Sequence, residues 1–211
     1  MGLVLEVDRE APSPDAVGLA ASVLDSGGVV VLPTETVYGV AMSPFSSSSA
    51  EPLFVLKRRG HDLAIPWLLE DACALRVFAA HLPPEAQKLA DRCWPGALTL
   101  VVEASDAVPR AYRASDGTVA LRVPDLPFVR QVAAACGGAL CVTSANTHGF
   151  PAPSCLEELE PRIIAGASLV FDGGPARIGA ASTIVSCVGH RPTIIRESAI
   201  GADEVERILR A

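Results

Sequence analysis

Short apolar runs recur along the chain, and several of them end abruptly in proline, hydroxyl-bearing or charged residues. The run in VVVLPTETVYGVAM, residues 29–42, stops at Pro33 and is followed by Thr34, Thr36 and Tyr38. Runs of this length are typical of buried strands, and many of the segments between them have the apolar spacing of helices. The alternation predicts a single-domain α/β fold with an open, twisted, mixed β-sheet and flanking helices.

The same pattern predicts the individual elements. Helices are expected at residues 14–25, 51–58, 71–80, 84–93, 126–136, 156–164 and 203–210. Strands are expected at residues 28–32, 65–69, 97–103, 118–123, 139–143, 168–172, 183–187 and 193–196. In the loop after the first strand, Pro33 should end the strand's hydrogen-bond ladder and Gly39 should allow a tight turn.

Composition and charge exclude several classes of protein. Half of the 211 residues are apolar, which is enough for a large core, yet no apolar run approaches the ~18 residues of a membrane-spanning helix. The N-terminus has no signal-peptide pattern, and the six cysteines form neither C-x-x-C nor a zinc-ligand spacing. We therefore expect a cytoplasmic protein with free thiols and no membrane association. The net charge of −7, with one basic cluster in LKRRGH, favours a small anionic ligand over a nucleic-acid duplex.

Three basic residues are candidates for binding that anion. Lys57 and Arg59 stand at a predicted helix end, where they either offset the helix dipole or clamp a phosphate. Arg122 interrupts an apolar strand just before Pro124. A charge at this position needs a partner, and the sequence leaves open whether that partner is an internal carboxylate or a bound anion.

Small polar residues mark the ends of further strands. Ser144 and Asn146 follow one strand and either cap a helix or bind a phosphate or a nucleobase edge, while Ser182 precedes another strand and Arg196 closes a third. The hydroxyl groups after the first strand likewise either satisfy their own loop or bind a ligand. Because several strands end in such groups, we expect them to form one pocket for a polar, anionic small molecule.

Several short motifs follow one another in the order and spacing of the YrdC-like family. They are PTETVYG, Lys57-x-Arg59, WPG with Thr99, Arg122-Val-Pro124, Ser144-Ala-Asn146, Asp172-Gly-Gly174, Ser182-Thr-Ile-Val185 and Arg196. From about residue 14 to 200 the chain resembles this family, and in particular its short threonylcarbamoyl-AMP synthases. The resemblance implies one YrdC-like domain over residues 1–211 with a basic concave cavity and without the C-terminal extension of longer members.

The resemblance also implies a reaction, in which L-threonine, bicarbonate (or CO2) and ATP give threonylcarbamoyl-AMP and pyrophosphate. Mg²⁺ would arrive with ATP, since no carboxylate cage for a metal is evident. A separate transfer complex would then modify adenosine 37 of tRNA. The residues that match ATP-binding positions are Lys57, Arg59, Thr118, Ser144, Asn146 and Arg196, of which Lys57 and Arg59 are the expected catalytic residues. Those that match the threonine pocket are Thr34, Thr36, Tyr38, Arg122 and Ser182.

The sequence departs from the family pattern at several loop positions, and other functions stay open. The departures are Gly60, Ala64, Leu68, His148 and Ser198. The alternatives are a paralogue that makes a different carbamoyl-adenylate or uses an unknown substrate, an RNA-binding module of the same fold, and an α/β domain without catalysis. The acidic net charge predicts that any RNA binding is weak and strongly salt-dependent.

Overall fold

The structure is a computed structural model that describes residues 3–58, 60 and 65–211. Within these residues the strands form one ten-stranded mixed sheet, and helices pack on it, which confirms the predicted fold class. The strands are β1 (Leu3–Glu6), β2 (Val30–Leu32), β3 (Gly39–Met42), β4 (Trp67–Leu69), β5 (Leu98–Glu103), β6 (Thr118–Arg122), β7 (Ala139–Ser144), β8 (Leu169–Asp172), β9 (Thr183–Ser186) and β10 (Thr193–Arg196). The helices are α1 (Pro14–Asp25), α2 (Glu51–Lys57), α3 (Leu75–Phe78), α4 (Pro84–Cys93), α5 (Pro127–Ala135), α6 (Pro161–Gly166) and α7 (Ala202–Arg210).

The strand order of the sheet is β1-β8-β2-β3-β7-β4-β6-β5-β9-β10. β8 pairs in parallel with β1 and β2, β4 with β6, and β5 with β9, whereas the other neighbours are antiparallel. Strands that neighbour one another in the sheet are therefore often distant in sequence, and the site described below draws on most of the chain.

Each face of the sheet carries its own hydrophobic core, because alternate residues of a strand point to opposite faces. Val31 joins the larger core, which lies under α2, α3, α4, α6 and α7, and its neighbours Val30 and Leu32 join the smaller core under α1 and α5. The smaller core includes residues of β2, β3, β4, β7 and β8 but none of β5, β6 or β9. The part of this second face that is formed by β5, β6 and β9 therefore lies outside the smaller core.

The element predictions were wrong mainly where short elements meet. β1 and β3 were not predicted, and residues 71–80 and 156–164 each divide into a 3-10 turn and a short helix. In the first case the Asp71 side chain accepts from the N–H groups of Cys73 and Ala74 and caps the 3-10 turn. In the second, Pro161 begins a new helix after an extended residue, Leu159.

The structure bears on two expectations drawn from composition, the state of the cysteines and the presence of membrane-spanning helices. All six cysteines are free thiols. In the portion of the chain that is described, no helix is both long enough and apolar enough to cross a bilayer.

Gly39 is not in a tight turn, contrary to the prediction; it is the first residue of β3. A Cβ at this position would lie 2.6 Å from Cγ1 of Val142 on the neighbouring β7, so the glycine permits close strand contact. We expect Gly39→Ala to lower the free energy of unfolding by roughly 1–3 kcal/mol, measured by urea denaturation.

The control for Gly39→Ala is Gly18→Ala in α1, where a Cβ would meet nothing within 4 Å. Alanine there should raise stability by about 0.5–1 kcal/mol. Equal unfolding midpoints for Gly39→Ala and the wild type would show that the close approach carries no cost.

Candidate active site

A cavity of about 370 Å³ lies on the second face of the sheet, beyond the part covered by α1 and α5. It is polar on several sides, and three basic side chains reach it from α2, β6 and β10. The described residues that line it are Thr34, Thr36, Val37, Tyr38, Gly39, Lys57, Pro66, Leu68, Thr99, Arg122, Val142, Thr143, Ser144, Asn146, His148, Ala181, Ser182, Ile184 and Arg196.

The strands that reach the cavity do not all end at the same edge of the sheet. The pairings orient β2 and β7 opposite to β6 and β10, so Ser144 and Arg122 close strands that run in opposite directions. In register, Arg122 lies opposite Leu68, which lies opposite Leu140, four residues before Ser144. This offset places the two Cα atoms roughly 16 Å apart in a flat sheet. The cavity therefore runs diagonally across this face of the sheet.

Loop 33–38 leaves β2 and folds back over this face. Its Thr36 hydroxyl accepts a hydrogen bond of 3.0 Å from the Arg122 guanidinium at the far end of β6. The loop thus connects the two ends of the diagonal cavity.

Arg122 is held on three sides by the protein. Besides its bond to Thr36, it donates from Nε to the Gly96 carbonyl (3.0 Å) and from one terminal nitrogen to Oε1 of Glu35 (2.5 Å). Both partners of this ion pair are buried, with side-chain exposures of 7% for Arg122 and 2% for Glu35. The sequence left open whether Arg122 has an internal carboxylate or a bound anion, and the internal carboxylate is present.

The ion pair does not use all the donors of Arg122. A guanidinium carries five N–H groups, and three are used by Gly96, Thr36 and Glu35. One N–H on each terminal nitrogen has no partner among residues 3–58, 60 and 65–211. Because Arg122 lines the cavity, its remaining N–H groups are donors for an anion bound there.

The other hydroxyls of loop 33–38 are engaged by backbone. The Thr34 hydroxyl donates to the Val37 carbonyl (2.6 Å) and accepts from the Val37 N–H (3.2 Å). The Tyr38 hydroxyl lies 2.8 Å from the Gly174 carbonyl oxygen and 3.0 Å from Oδ1 of Asp172. Burial is the main cause that raises the pKa of Tyr38 well above its ordinary value. Both residues line the cavity, but their hydroxyls hold loops in place.

The far end of the cavity brings Ser182 and Arg196 beside Arg122. The Ser182 hydroxyl lies 2.7 Å from the Thr99 hydroxyl. The backbone carbonyl of Ser182 accepts hydrogen bonds from Nε (3.1 Å) and a terminal nitrogen (2.7 Å) of Arg196. The pKa of Arg196 is lowered, first by burial and then by the positive charge of Arg122. Arg196 has no carboxylate partner in the described part of the chain. Two guanidinium groups that face one cavity are suited to a bound anion.

Lys57 occupies the other end of the cavity. It is the last residue of α2, is 2% exposed, and its ammonium reaches the turn that follows β7. It donates to the Ser144 carbonyl, to the Asn146 carbonyl (2.8 Å) and to Oδ1 of Asn146 (3.0 Å). The same Asn146 donates from Nδ2 to the Phe150 carbonyl (2.6 Å). These bonds fix the turn after β7 and place the Lys57 ammonium at the cavity wall.

The structure brings together nine of the eleven predicted site residues. They are Thr34, Thr36, Tyr38, Lys57, Arg122, Ser144, Asn146, Ser182 and Arg196. Thr118 lies at the opposite end of β6 from Arg122, outside the cavity lining, and its hydroxyl donates to Asp116 (2.7 Å). Arg59, like Ala64, lies outside the described residues.

Some residues of the site were not assigned from the sequence. Thr99 and His148 line the cavity, and Glu35 lies behind it. Glu35 could have been singled out as the one acid in the polar cluster PTET, but its partner, 87 positions away, is visible only in the fold. The part of the chain that is described holds no group of three or more His, Cys, Asp or Glu side chains that could bind a metal ion.

Comparisons with known proteins agree with the resemblance seen in the motifs. A model of the Sua5/YciO/YrdC family, described as "Telomere recombination", matches residues 22–198. The threonylcarbamoyl-AMP synthase of Pyrococcus abyssi (strain GE5 / Orsay) is 30% identical over 209 residues, which are 99% of this chain and 61% of the relative. The threonylcarbamoyl-AMP synthase of Bacillus subtilis (strain 168) is 30% identical over 203 residues, which are 96% of this chain and 59% of the relative.

A solved structure shares the fold closely. The crystal structure of P. abyssi Sua5 complexed with L-threonine gives a TM-score of 0.89 at 29% identity, and covers 98% of this chain and 60% of that chain. The chain thus spans about three fifths of the length of these relatives. The family model matches residues 22–198, and a relative is 30% identical over 99% of this chain, so the chain belongs to the Sua5/YciO/YrdC family.

Proposed function

We propose that the protein makes threonylcarbamoyl-AMP from L-threonine, bicarbonate (or CO2) and ATP, and releases pyrophosphate. The observation that carries the proposal is the cavity itself, which is lined by Lys57, Arg122 and Arg196. The relatives that bear the name threonylcarbamoyl-AMP synthase, and the relative whose structure was solved with L-threonine, support this choice of substrates.

The amino acid would bind at the Arg122 end. The two unused N–H groups of Arg122 would take its α-carboxylate as a bidentate pair. Thr36 and Ser182 line the same end and offer hydroxyl groups to the substrate's polar atoms. Thr34 and Tyr38, whose hydroxyls are bonded to backbone, would support the loop around them.

The nucleotide would occupy the remainder of the diagonal. Lys57 and Arg196 would set a positive potential for the phosphates from opposite ends, together with Arg59, and Ser144 and Asn146 would line the turn that holds Lys57. Mg²⁺ would enter bound to the phosphates of ATP, because the described residues provide no carboxylate cage.

The chemistry then requires two bond-forming steps. The neutral amine of threonine attacks CO2 and loses a proton, which gives a carbamate. A carbamate oxygen attacks the α-phosphorus of ATP, the bond to the β-phosphate oxygen breaks, and pyrophosphate leaves. The attack joins two anions, so cations that neutralise the developing charge lower its barrier, and positioning of the reactants supplies the rest.

The product would be a mixed anhydride, which a separate transfer complex would deliver to adenosine 37 of tRNA. Such handover fits the acidic net charge of −7, because this chain would not itself need to bind tRNA tightly.

Pyrophosphate release tests the proposal. With ATP, Mg²⁺ and bicarbonate present, we expect release to depend on L-threonine and to fall at least about tenfold with L-serine, which lacks one methyl group. Omitting bicarbonate under CO2-free gas should reduce the rate in the same way. Release that is independent of any amino acid would refute the synthase assignment.

A further inference from the structure

Among the described residues, Glu35 is the one acidic group that contacts the basic residues at the Arg122 end of the cavity. We propose that Glu35 is a specificity-determining residue that reserves Arg122 for a monoanionic carboxylate and keeps phosphate groups away from it. This inference rests on the proposed function, since it concerns how the same site separates its two anionic substrates.

The geometry shows why such sorting is needed. Arg122 and Arg196 face one cavity and are close enough for the charge of Arg122 to lower the pKa of Arg196. Two adjacent guanidinium groups form a strong site for a multiply charged phosphate. If ATP or pyrophosphate bound there, it would block the position of the amino-acid carboxylate.

Glu35 lowers the net positive charge around Arg122 without occupying all of its N–H groups. Its Oε1 accepts from Arg122 at 2.5 Å, so one negative charge lies in contact with the guanidinium. The pair is close to neutral as a whole, yet the two unused N–H groups of Arg122 remain available. A monoanionic carboxylate gains two hydrogen bonds there and meets little repulsion, whereas a phosphate with two or more charges is repelled by Glu35 at short range.

A purely stabilising role explains Glu35 less well. Its second oxygen, Oε2, is buried and has no hydrogen-bond partner in the part of the chain that is described. An unsatisfied buried carboxylate oxygen costs stability, and a buried ion pair is itself weak evidence for a stabilising function. The backbone at Glu35 is nevertheless held in place, because its carbonyl accepts a bond of 2.8 Å from the Ile178 N–H.

The test uses Glu35→Gln, which keeps an oxygen to accept from Arg122 but removes the charge, and Glu35→Asp, which keeps the charge. In the wild type, inorganic phosphate should compete with ATP and not with threonine. In Glu35→Gln, phosphate should compete with threonine as well. At a fixed, low threonine concentration, the phosphate concentration that halves the rate should be at least about tenfold lower than in the wild type. Glu35→Asp should retain the wild-type pattern. A structural role would lower stability in both variants without creating competition between phosphate and threonine.

Calorimetric titration of the nucleotide-free protein with inorganic phosphate gives a readout that needs no activity. Glu35→Gln should gain a phosphate site that the wild type lacks, and the double variant Arg122→Gln/Glu35→Gln should lose it again. No added site in Glu35→Gln, or competition between phosphate and threonine in the wild type, would overturn the proposal. Competition between phosphate and threonine in the wild type can be measured, and would overturn the proposal, even if Glu35→Gln does not fold. If the wild type makes no threonylcarbamoyl-AMP, the proposed function fails, while the titration still decides the role of Glu35.

Discussion

Arg122→Gln should lose at least about 100-fold in kcat/KM for threonine, which corresponds to about 2.7 kcal/mol, while ATP binding changes much less. The reason is that glutamine cannot present the two N–H groups with which Arg122 would hold the α-carboxylate. Steady-state kinetics with threonine as the varied substrate measures the loss, and calorimetric titration with a non-hydrolysable ATP analogue serves as the control for the nucleotide site.

The same substitution should also destabilise the fold by about 3–5 kcal/mol, because it leaves the buried carboxylate of Glu35 without its partner. Adding Glu35→Gln to Arg122→Gln should recover most of this stability in urea denaturation but none of the activity. The double variant therefore separates the structural role of the ion pair from the binding role of Arg122. Activity that returns together with stability would contradict the assignment of Arg122 to the substrate.

Lys57→Met should lower kcat by about 100- to 1,000-fold, because it removes a positive charge from the wall where the phosphates would react. Methionine keeps most of the side-chain volume, so the buried packing at the end of α2 is retained. It leaves the carbonyl groups of Ser144 and Asn146 without the ammonium donor, and we expect a stability loss of about 1–3 kcal/mol. Product formation at saturating ATP and threonine is the measurement.

A matched control for Lys57 is available elsewhere in the chain. The Lys88 ammonium, on α4, donates to the Leu209 carbonyl (3.2 Å) and does not line the cavity. Lys88→Met removes the same charge and a similar backbone contact, and should leave kcat within about twofold of the wild type. If the two variants lost equal activity, the effect of Lys57 would lie in net charge or stability and not in the site.

Most of the fold could be predicted from the sequence because local patterns determine it. The apolar periodicity of α1 and the buried run of β2 gave elements with nearly correct bounds, and Pro33 ended β2 as expected. β3 was missed because GVAM is only four residues long and follows directly on a polar loop. Its assignment depends on pairing with β2 and β7, which periodicity within one segment does not reveal.

The candidate site was predicted in composition but not in arrangement. Arg122 and Ser144 were expected at one pocket, because several predicted strands end in charged or hydroxyl-bearing groups, and Lys57 was a separate candidate for the same anion. The sequence did not show that these strands run in opposite directions, nor that the twist of the sheet and the fold of loop 33–38 bring their ends to one face. For the same reason Thr118, four residues before Arg122 on β6, was grouped with the site although it lies at the other end of the strand.

Detection of the labelled product tests the central claim most directly. The purified protein would be incubated with ATP, Mg²⁺, L-threonine and ¹³C-bicarbonate, and the nucleotides analysed by mass spectrometry. The account predicts threonylcarbamoyl-AMP that carries the ¹³C label, together with an equal amount of pyrophosphate, and no such species when threonine is omitted. ATP binding without any threonine-dependent, ¹³C-labelled adenylate would contradict the synthase assignment and direct attention to another substrate for the same cavity.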